Sequence, residues 1–498
     1  MQKNSLQKNI TTIQMHTHYQ IYKYLTTVAS TAATNTYNFL HSIIPKTAQE
    51  PVIFITPPAA DIADAIPLLI YIILPLIFIG VFAYIKIQYP FWSRQPVYHT
   101  YDFWRGTGTS AAYIIDENKA PIAKTKYYDA ATTRTIPIAE VTDDDFATLI
   151  LFLHNHYLHN TNTTFFTITR EQLYNNLTGG INGSNVSFYK PQNATTIYGV
   201  MASKSTTLYI FGNEFSAYFW NYIAIHKGFE NNPEHSRKMI QTHEYNTRIC
   251  NGNPSIFIKE PHLCSGVVPL TIFTTHVFNR SILKRVPKLY SPLMVVKITE
   301  KNVILYSRFF ELFATATADD DAPTKKFGFS FKALNSTENI LAMIKTKQLF
   351  IYCLKLKEDI LAFYILKNPF LILENATPQS TQKTAAIPTT NVIECVSSIC
   401  NMDITTATAA AENKHIFYSA FLHSLHQCCV ELQINIELFK ITNMAHNRWL
   451  IAEIQATAAA SGSQSTQTST STSSGIYLYN LCVPSSPLAP ENVFMLEI

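Results

Sequence analysis

The segment from Gly199 to Ser281 contains the residue types that could bind a phosphate-bearing ligand. It has a Gly-Val-Met-Ala-Ser turn, a strand-like run from Asn221 to Lys227, a polar loop, and a helix-like run that ends at Asn246. A strand that leads through a polar loop to a helix N-terminus presents backbone N–H groups to a pyrophosphate. This order of elements indicates a site for a ligand such as an acyl-CoA.

Four short motifs in the chain resemble the N-myristoyltransferase family, in the divergent form found in large DNA viruses. Tyr89 to Val97 reads Tyr-Pro-Phe-Trp-Ser-Arg-Gln-Pro-Val, and each fixed residue of the family's Tyr-x-Phe-Trp-x-x-Gln-Pro-Val motif is present. Asn221 to Lys227 resembles the Asn-Phe-Leu-Cys-Val-His-Lys strand of the family. Gly266 to Pro269 and Phe278 to Ser281 resemble its Ala-Gly-x-x-Leu-Pro and Trp-His-Arg-Ser segments, although the proline comes one place early.

The resemblance implies an α/β chain with a tandem duplicated acyl-CoA N-acyltransferase-like fold. Such a fold has mixed, mostly antiparallel sheets with flanking helices. We expect an N-terminal half over residues 88–285 and a C-terminal half over 286–498. Flexible inserts are expected at 314–324, 374–390 and 455–475, and the last is almost entirely Ser, Thr, Ala, Gln and Gly, which cannot bury apolar surface.

The resemblance also implies a reaction, the transfer of a fatty acyl group from an acyl-CoA co-substrate to an N-terminal glycine amine. Myristoyl-CoA is the expected co-substrate, and peptides or proteins with an N-terminal glycine are the expected partners. The backbone N–H groups of Tyr222 and Ile223 would form an oxyanion hole for the thioester carbonyl. The α-carboxylate of Ile498 would be the general base, because a buried carboxylate without a partner charge has a raised pKa.

Six residues are implied as contacts for coenzyme A, namely Tyr89, Phe91, Trp92, Ile225, Arg237 and Lys238. The loop from Gly228 to Ser236 differs from the basic loop of the family. Glu230 and Glu234 would repel phosphate, and Pro233 lacks an N–H donor. The alternative is therefore a non-catalytic scaffold or virion membrane protein that keeps the fold and has lost coenzyme A binding.

An apolar run near the N-terminus predicts a membrane anchor. No residue from Ala65 to Tyr84 is charged, and about 20 apolar residues are enough to cross a bilayer core. The sequence predicts a leader over 1–64 and one transmembrane helix over 65–87. Because basic residues such as Lys86 follow this run, the positive-inside rule places the C-terminal part in the cytoplasm, on a host-cell or virion membrane.

Composition narrows the remaining functions. The 498 residues are 47% hydrophobic and 14% charged, which is enough for one large core or two ordinary ones. A net charge of +4 does not indicate a strongly basic surface, so no nucleic-acid partner is predicted. The eight cysteines lack zinc-type spacing, and a solvated helix end explains His154, His156 and His159 better than a metal does. The acid-free N-terminus fits either a targeting peptide or a peripheral leader.

Local patterns predict several elements of the C-terminal half. Apolar residues at helical spacing predict helices at Thr337–Lys345 and Phe417–Leu432. Gln348–Leu356 and Ile360–Leu366 are rich in β-branched and aromatic residues, which predicts a hairpin. The same criterion predicts a strand at Trp449–Ile454.

Overall fold

The computed structural model describes residues 59–102, 111–118, 126–158, 164–178, 183–280, 286–303, 329–374, 389–402, 407–433, 436–460, 472–484 and 487–496. The chain divides into two compact units, Met1–Gly80 and Val81–Ile498. The described part of the first unit is helical, and every described strand belongs to the second unit.

The described residues form seven α-helices and eighteen β-strands. The helices are α1 Ala59–Gln88, α2 Asp143–His156, α3 Arg170–Leu177, α4 Pro233–Asn251, α5 Thr337–Lys345, α6 Ala407–Leu432 and α7 Asn447–Ala460. The strands are β1 Tyr113–Ile114, β2 Thr133–Pro137, β3 Thr164–Phe166, β4 Asn185–Tyr189, β5 Gly199–Ile210, β6 Asn213–Ile225, β7 Ser255–Lys259, β8 Thr271–Asn279, β9 Leu293–Lys297, β10 Phe331–Leu334, β11 Leu349–Leu356, β12 Asp359–Lys367, β13 Leu371–Glu374, β14 Thr389–Cys400, β15 Ile436–Thr442, β16 Thr472–Tyr479, β17 Leu481–Cys482 and β18 Val493–Met495.

Sixteen of the described strands form one large sheet. Its main path runs β18-β10-β5-β6-β7-β16-β8-β15-β14-β12-β11-β9, and β2, β3, β4 and β13 join it at the side. Neighbours are antiparallel except for the pairs β10–β18, β6–β7 and β14–β15. The predicted mixed, mostly antiparallel α/β architecture is confirmed.

The two halves of the sheet repeat one arrangement. In the first half, antiparallel β4, β5 and β6 lead through α4 to β7, which runs parallel to β6. In the second half, antiparallel β11, β12 and β14 lead through α6 to β15, which runs parallel to β14. Strand β16, from near the C-terminus, lies between β7 and β8. The C-terminal part of the chain thus completes the sheet of the N-terminal part.

In each half, the central strand is irregular where it leaves its parallel neighbour. Strand β6 pairs with β7 at only two residues, the second being Phe219. Beyond that point, Asn221 pairs with Ala202 and Ala224 pairs with Val200. Between these two pairs, β6 has two residues where β5 has one. Strand β14 has a corresponding shift just after its last pair with β15. Bulges of this kind re-aim side chains and often lie beside active sites.

The helices of the C-terminal half pack as their apolar spacing predicts. Phe417, Phe421 and Leu425 of α6 follow one another at intervals of four, and all three are buried against β11, β12 and β14. The predicted helix at Thr337–Lys345 and the predicted hairpin of β11 and β12 are confirmed.

The predicted strand at Trp449–Ile454 is wrong, because this segment belongs to α7. Leu450 and Ile454 are both buried, and their spacing of four residues places them on one helix face. At the start of α7, the side chain of Asn447 donates a hydrogen bond of 3.1 Å to the backbone oxygen of Val396. A short apolar run can form either element, and here tertiary contacts favour the helix.

The predicted inserts fall largely outside the described residues. This is true of all of 314–324 and most of 374–390 and 455–475. Within the last insert, residues 455–460 continue α7 and residues 472–475 begin β16. Those two portions are therefore regular structure and not a flexible insert.

The predicted transmembrane segment, residues 65–87, lies within α1, and residues 1–58 of the predicted leader lie outside the described residues. Across the part of the chain that the structure describes, no helix combines the length and the apolar character that crossing a membrane requires. The transmembrane helix over 65–87 stays a prediction from the sequence.

Candidate functional site

The bulge in β6 holds one residue in a strained backbone conformation. Tyr222 has a φ of 51°, in the left-handed region, which costs a non-glycine residue about 1–3 kcal/mol. Its side chain is buried, and its ring lies 5.6 Å from the ring of Tyr157 and 5.9 Å from that of Phe166, measured between centroids. Aromatic packing therefore holds the strained residue in place.

The predicted oxyanion-hole residues, Tyr222 and Ile223, both lie in this bulge. Neither residue pairs one-to-one with a residue of β5. The two of them together lie opposite the single residue Met201. The Tyr222 N–H donates a 2.8 Å hydrogen bond to Oδ1 of Asn221, so this side chain must turn away before that N–H can bind another oxygen. Ile225, a predicted coenzyme A contact, follows at the end of β6 and is half-buried. Backbone donors outside the ladder at a strand divergence are suited to an oxyanion hole.

The last described residues run towards the end of β5 that lies opposite this bulge. Strand β18 is parallel to β10, and β10 is antiparallel to β5, so the chain leaves Leu496 in the direction of Met201. Leu496 is fully buried, and Oγ of Ser397 donates a 2.7 Å hydrogen bond to the backbone oxygen of Met495. The predicted base, Ile498, lies outside the described residues. The path of the chain before it is buried and directed at the bulge.

The aromatic motif that follows α1 packs on the strands next to this site. The ring of Trp92 stacks on Phe257 of β7, with a centroid distance of 5.6 Å and an interplanar angle of 4°. Phe91 is buried, and its ring lies 5.4 Å from that of Tyr127. These two predicted coenzyme A contacts therefore also hold the motif against the sheet.

Gly266 brings two of the motifs together. It has a φ of +82°, and a Cβ atom built at this position would lie 2.8 Å from Cδ1 of Tyr89. Beside it, the N–H of Val268 donates a 2.7 Å hydrogen bond to the oxygen of Tyr98. Tyr89, the third aromatic residue predicted to contact coenzyme A, is thus placed by close approach to a glycine.

We expect Gly266→Ala to lower the free energy of unfolding by about 1–3 kcal/mol, because alanine disfavours this φ and its Cβ would displace the Tyr89 ring. Urea unfolding of the variant and the wild-type protein measures the difference. Gly80→Ala is the control, since nothing lies within 4 Å of a Cβ at that helical position. Equal stability of the Gly266 variant and the wild-type protein would contradict the expectation.

The loop between β6 and α4 is closed by its own hydrogen bonds. The N–H of Phe229 donates to the oxygen of His226 at 2.8 Å, and the N–H of Asn232 donates to the oxygen of Phe229 at 3.1 Å. Oδ1 of Asn232 accepts from the N–H of Glu234 at 3.0 Å, which caps α4. Donors that a pyrophosphate would use are therefore already paired within the loop.

The two predicted phosphate-binding bases lie near the start of α4, and one of them is neutralised by carboxylates. Nζ of Lys238 lies 3.6 Å from Oδ2 of Asp129 and 3.4 Å from Oε1 of Glu234. The guanidinium of Arg237 lies over the ring of Tyr127, at 5.8 Å from the centroid. Among the described contacts, Lys238 pairs with carboxylates and Arg237 does not.

The sequence patterns do not predict a buried charged network that includes two residues of α4. Glu244 and Arg248 are nearly inaccessible to solvent and lie 3.5 Å apart, and Arg248 also pairs with Asp116. Burial raises the pKa of Glu244 to about 7, although Arg248 and Tyr479 act in the opposite direction. The hydroxyl of Tyr479 donates a 2.7 Å hydrogen bond to Oε1 of Gln95, which connects the network to the aromatic motif.

This network predicts a pH dependence of stability. The pKa of Glu244 in the folded chain, about 7, lies above the ordinary 4.5, so the folded protein binds this proton more tightly than the unfolded chain does. The free energy of unfolding therefore falls as pH rises from 4.5 to 7. We expect Glu244→Gln to remove that fall and to be more stable than the wild-type protein at pH 8 by about 1–3 kcal/mol.

Urea unfolding of wild-type protein and Glu244→Gln at pH 5 and pH 8 tests this expectation. Glu234→Gln is the matched control, because Glu234 is exposed on the same helix. A difference between Glu244→Gln and the wild-type protein that is the same at both pH values would contradict the predicted proton linkage.

Two titratable groups near the bulge were not singled out in the sequence. The ring of Tyr157 contacts that of Tyr222, and burial, followed by the charges of Glu260 and Glu394, raises the pKa of Tyr157. Glu260 is exposed as a residue, but neighbouring atoms desolvate its carboxyl group and, together with Glu394, raise its pKa, while Lys440 lowers it. A carboxyl group in this state is a second candidate proton acceptor.

His154 and His156 lie in the last turn of α2 and contact backbone groups of other segments. His154 is hydrogen-bonded through Nδ1 to the oxygen of Phe166 at 3.0 Å, and His156 accepts from the N–H of Lys227 at 3.4 Å. His159 lies outside the described residues. Over the described chain, no group of three or more potential ligands could hold a metal ion.

Neither a protein-family model nor a curated protein matches this sequence. Among solved structures, N-myristoyltransferase of Saccharomyces cerevisiae with bound myristoyl-CoA matches with a TM-score of 0.57 and 12% identity, over 80% of this chain and 94% of that one. A structure of the same yeast enzyme with myristoyl-CoA and inhibitors matches with a TM-score of 0.58 and 12% identity, over 82% and 95% of the two chains. The chain therefore has an N-myristoyltransferase-like fold.

Proposed function

We propose that this chain is an acyltransferase that transfers a fatty acyl group, with myristoyl expected, from acyl-CoA to an N-terminal glycine amine. The observation that carries the proposal is the bulge at Tyr222 and Ile223, which lies where β6 leaves β7. The yeast enzyme of similar fold binds myristoyl-CoA, which supports an acyl-CoA as co-substrate here. Membership of the viral branch of the family stays a prediction from the motifs.

The chemistry requires two groups that act on the thioester and the amine. The amine nitrogen attacks the thioester carbon, the new C–N bond forms, the C–S bond breaks, and coenzyme A leaves as its thiol. The N–H of Ile223, and that of Tyr222 once Asn221 has turned away, would stabilise the negative charge on the carbonyl oxygen. The terminal carboxylate of Ile498 would accept the proton that the amine loses.

A second candidate function is a non-catalytic scaffold that keeps the acyltransferase fold. The observation that favours it is the closed loop before α4, in which the N–H groups of Phe229, Asn232 and Glu234 already have acceptors. The pairing of Lys238 with Asp129 and Glu234 points in the same direction. A scaffold has no need for a free phosphate site.

Calorimetric titration of the full chain with myristoyl-CoA at pH 6, followed by a transfer assay, separates the two functions. We expect micromolar or tighter binding and transfer to a peptide with an N-terminal glycine. The same peptide with an acetylated N-terminus is the control and should accept no acyl group. Absence of binding over the whole range of pH 6 to 8 would refute the acyltransferase and favour the scaffold.

A further inference from the structure

Two imidazoles lie side by side at the loop between β6 and α4. His226 directly follows β6 and His156 ends α2, and their ring centroids are 4.3 Å apart. Nδ1 of His226 accepts a 3.1 Å hydrogen bond from the N–H of Gly228, and Nδ1 of His156 accepts a 3.4 Å hydrogen bond from the N–H of Lys227. Two consecutive backbone donors of the loop are thus occupied by imidazole nitrogens.

This arrangement requires an unprotonated Nδ1 atom on each ring. A protonated imidazole has two N–H donors and no acceptor, so protonation breaks the bonds from Lys227 and Gly228 and releases both N–H groups. Imidazole is the side chain whose charge ordinarily changes between pH 5 and 8. Two imidazolium rings at this distance repel each other, and an anion bound beside both rings offsets that repulsion.

We infer that His156 and His226 are phosphate-binding residues of the acyl-CoA site and that a phosphate group of acyl-CoA binds there together with protons. This inference rests on the proposed function. The protonated loop offers two imidazolium groups, the ammonium of Lys227 and the released N–H groups, which together replace the basic loop that the family resemblance predicts. Binding of acyl-CoA should therefore be coupled to proton uptake.

Aromatic rings and one further histidine surround the histidine pair. Phe152 of α2 contacts the ring of His156, and the rings of Tyr198 and Phe229 contact that of His226. Tyr198 also faces His235 of α4, whose Nδ1 atom is 3.0 Å from the hydroxyl of Tyr189. The charged groups of the loop and the first two turns of α4 are Lys227, Glu230, Glu234, Arg237 and Lys238. Of the two carboxylates, Glu234 already pairs with Lys238.

Calorimetric titration of the full chain with myristoyl-CoA from pH 6 to 8, in buffers of different ionisation heat, tests the inference. We expect wild-type protein to take up one to two protons on binding, and its Kd to rise about tenfold per pH unit for each proton taken up. Myristoyl-pantetheine has the same thioester arm without phosphate, so its Kd should change little with pH. The wild-type measurement depends on no variant.

The variant His156→Asn/His226→Asn identifies the titrating groups. An asparagine carbonyl can accept the loop N–H in place of Nδ1 but cannot be protonated near neutrality. We expect this double variant to lose the proton uptake and to bind myristoyl-CoA at least about tenfold more weakly at pH 6. The control is His426→Asn, at an exposed position of α6, which should keep the wild-type uptake. The phosphates of myristoyl-CoA titrate equally in both experiments, so the difference in proton uptake between wild-type protein and the double variant excludes their contribution.

The possible failures are distinguishable. No binding of myristoyl-CoA by wild-type protein at any of these pH values would refute the proposed function, and this inference with it. Binding with the same proton uptake in wild-type protein and the double variant would overturn the inference and leave the proposed function intact. An equal pH dependence for myristoyl-pantetheine would also overturn it.

Discussion

Adding one residue after Ile498 is expected to lower kcat/KM for acyl transfer by about 10²–10⁴-fold, the range typical of losing a general base. The extension moves the terminal carboxylate by about 3.5 Å. The chain has little freedom to compensate, because Met495 is bonded to Ser397 at 2.7 Å and the N–H of Leu496 donates to the oxygen of Ala333 at 3.2 Å. These contacts fix the last described residues before the terminus.

Single-turnover transfer and calorimetric titration with myristoyl-CoA should be made on the same extended protein. The Kd for myristoyl-CoA should stay within about threefold of the wild-type value, because the carboxylate acts on the amine and not on the cofactor. A one-residue extension before Met1 is the matched control. Unchanged transfer after the C-terminal extension would assign the base to another group, and Glu260→Gln would then be the variant to test, since its raised pKa suits a base.

The site residues that the sequence singled out lie close together along the chain, and their roles stay predictions. Tyr222 and Ile223 form the bulge within a single strand, and the turn at Gly266 is set by a glycine with positive φ. Helices such as α5 and α6 were predictable because their apolar residues repeat with a helical period. Each of these features depends on local chemistry that a short motif contains.

The parts that the sequence did not predict depend on contacts between distant segments. Strand β16 begins with Ser and Thr residues that read as part of an insert, yet it pairs with both β7 and β8. The burial of Glu244 and Arg248 depends on Asp116, more than a hundred residues earlier in the chain. The closed loop depends likewise on His156 of α2. A local sequence pattern does not indicate which polar residue will contact a residue from a distant segment.

Replacing Phe257 by alanine is expected to lower the free energy of unfolding by about 3–5 kcal/mol, the usual cost of removing a buried aromatic ring. Phe257 lies in the middle of a stack of rings from four segments. Its centroid is 5.6 Å from Trp92, 5.1 Å from Trp220 and 5.3 Å from Tyr477, with interplanar angles of 4°, 18° and 19°. The ring thus connects β7 to the aromatic motif, to β6 and to β16.

Urea unfolding measures the loss, with Tyr290→Ala as the control because that residue is 80% exposed. Phe257→Leu keeps much of the apolar volume without the stacking, so it should cost about 1–2 kcal/mol. Binding of myristoyl-CoA by these variants also shows whether Trp92 contacts the cofactor or only packs on the sheet. If Trp92 contacts coenzyme A, Phe257→Leu should weaken myristoyl-CoA binding more than its small loss of stability explains, because the indole loses the ring that orients it. A Kd equal to that of the wild-type protein would restrict Trp92 to packing.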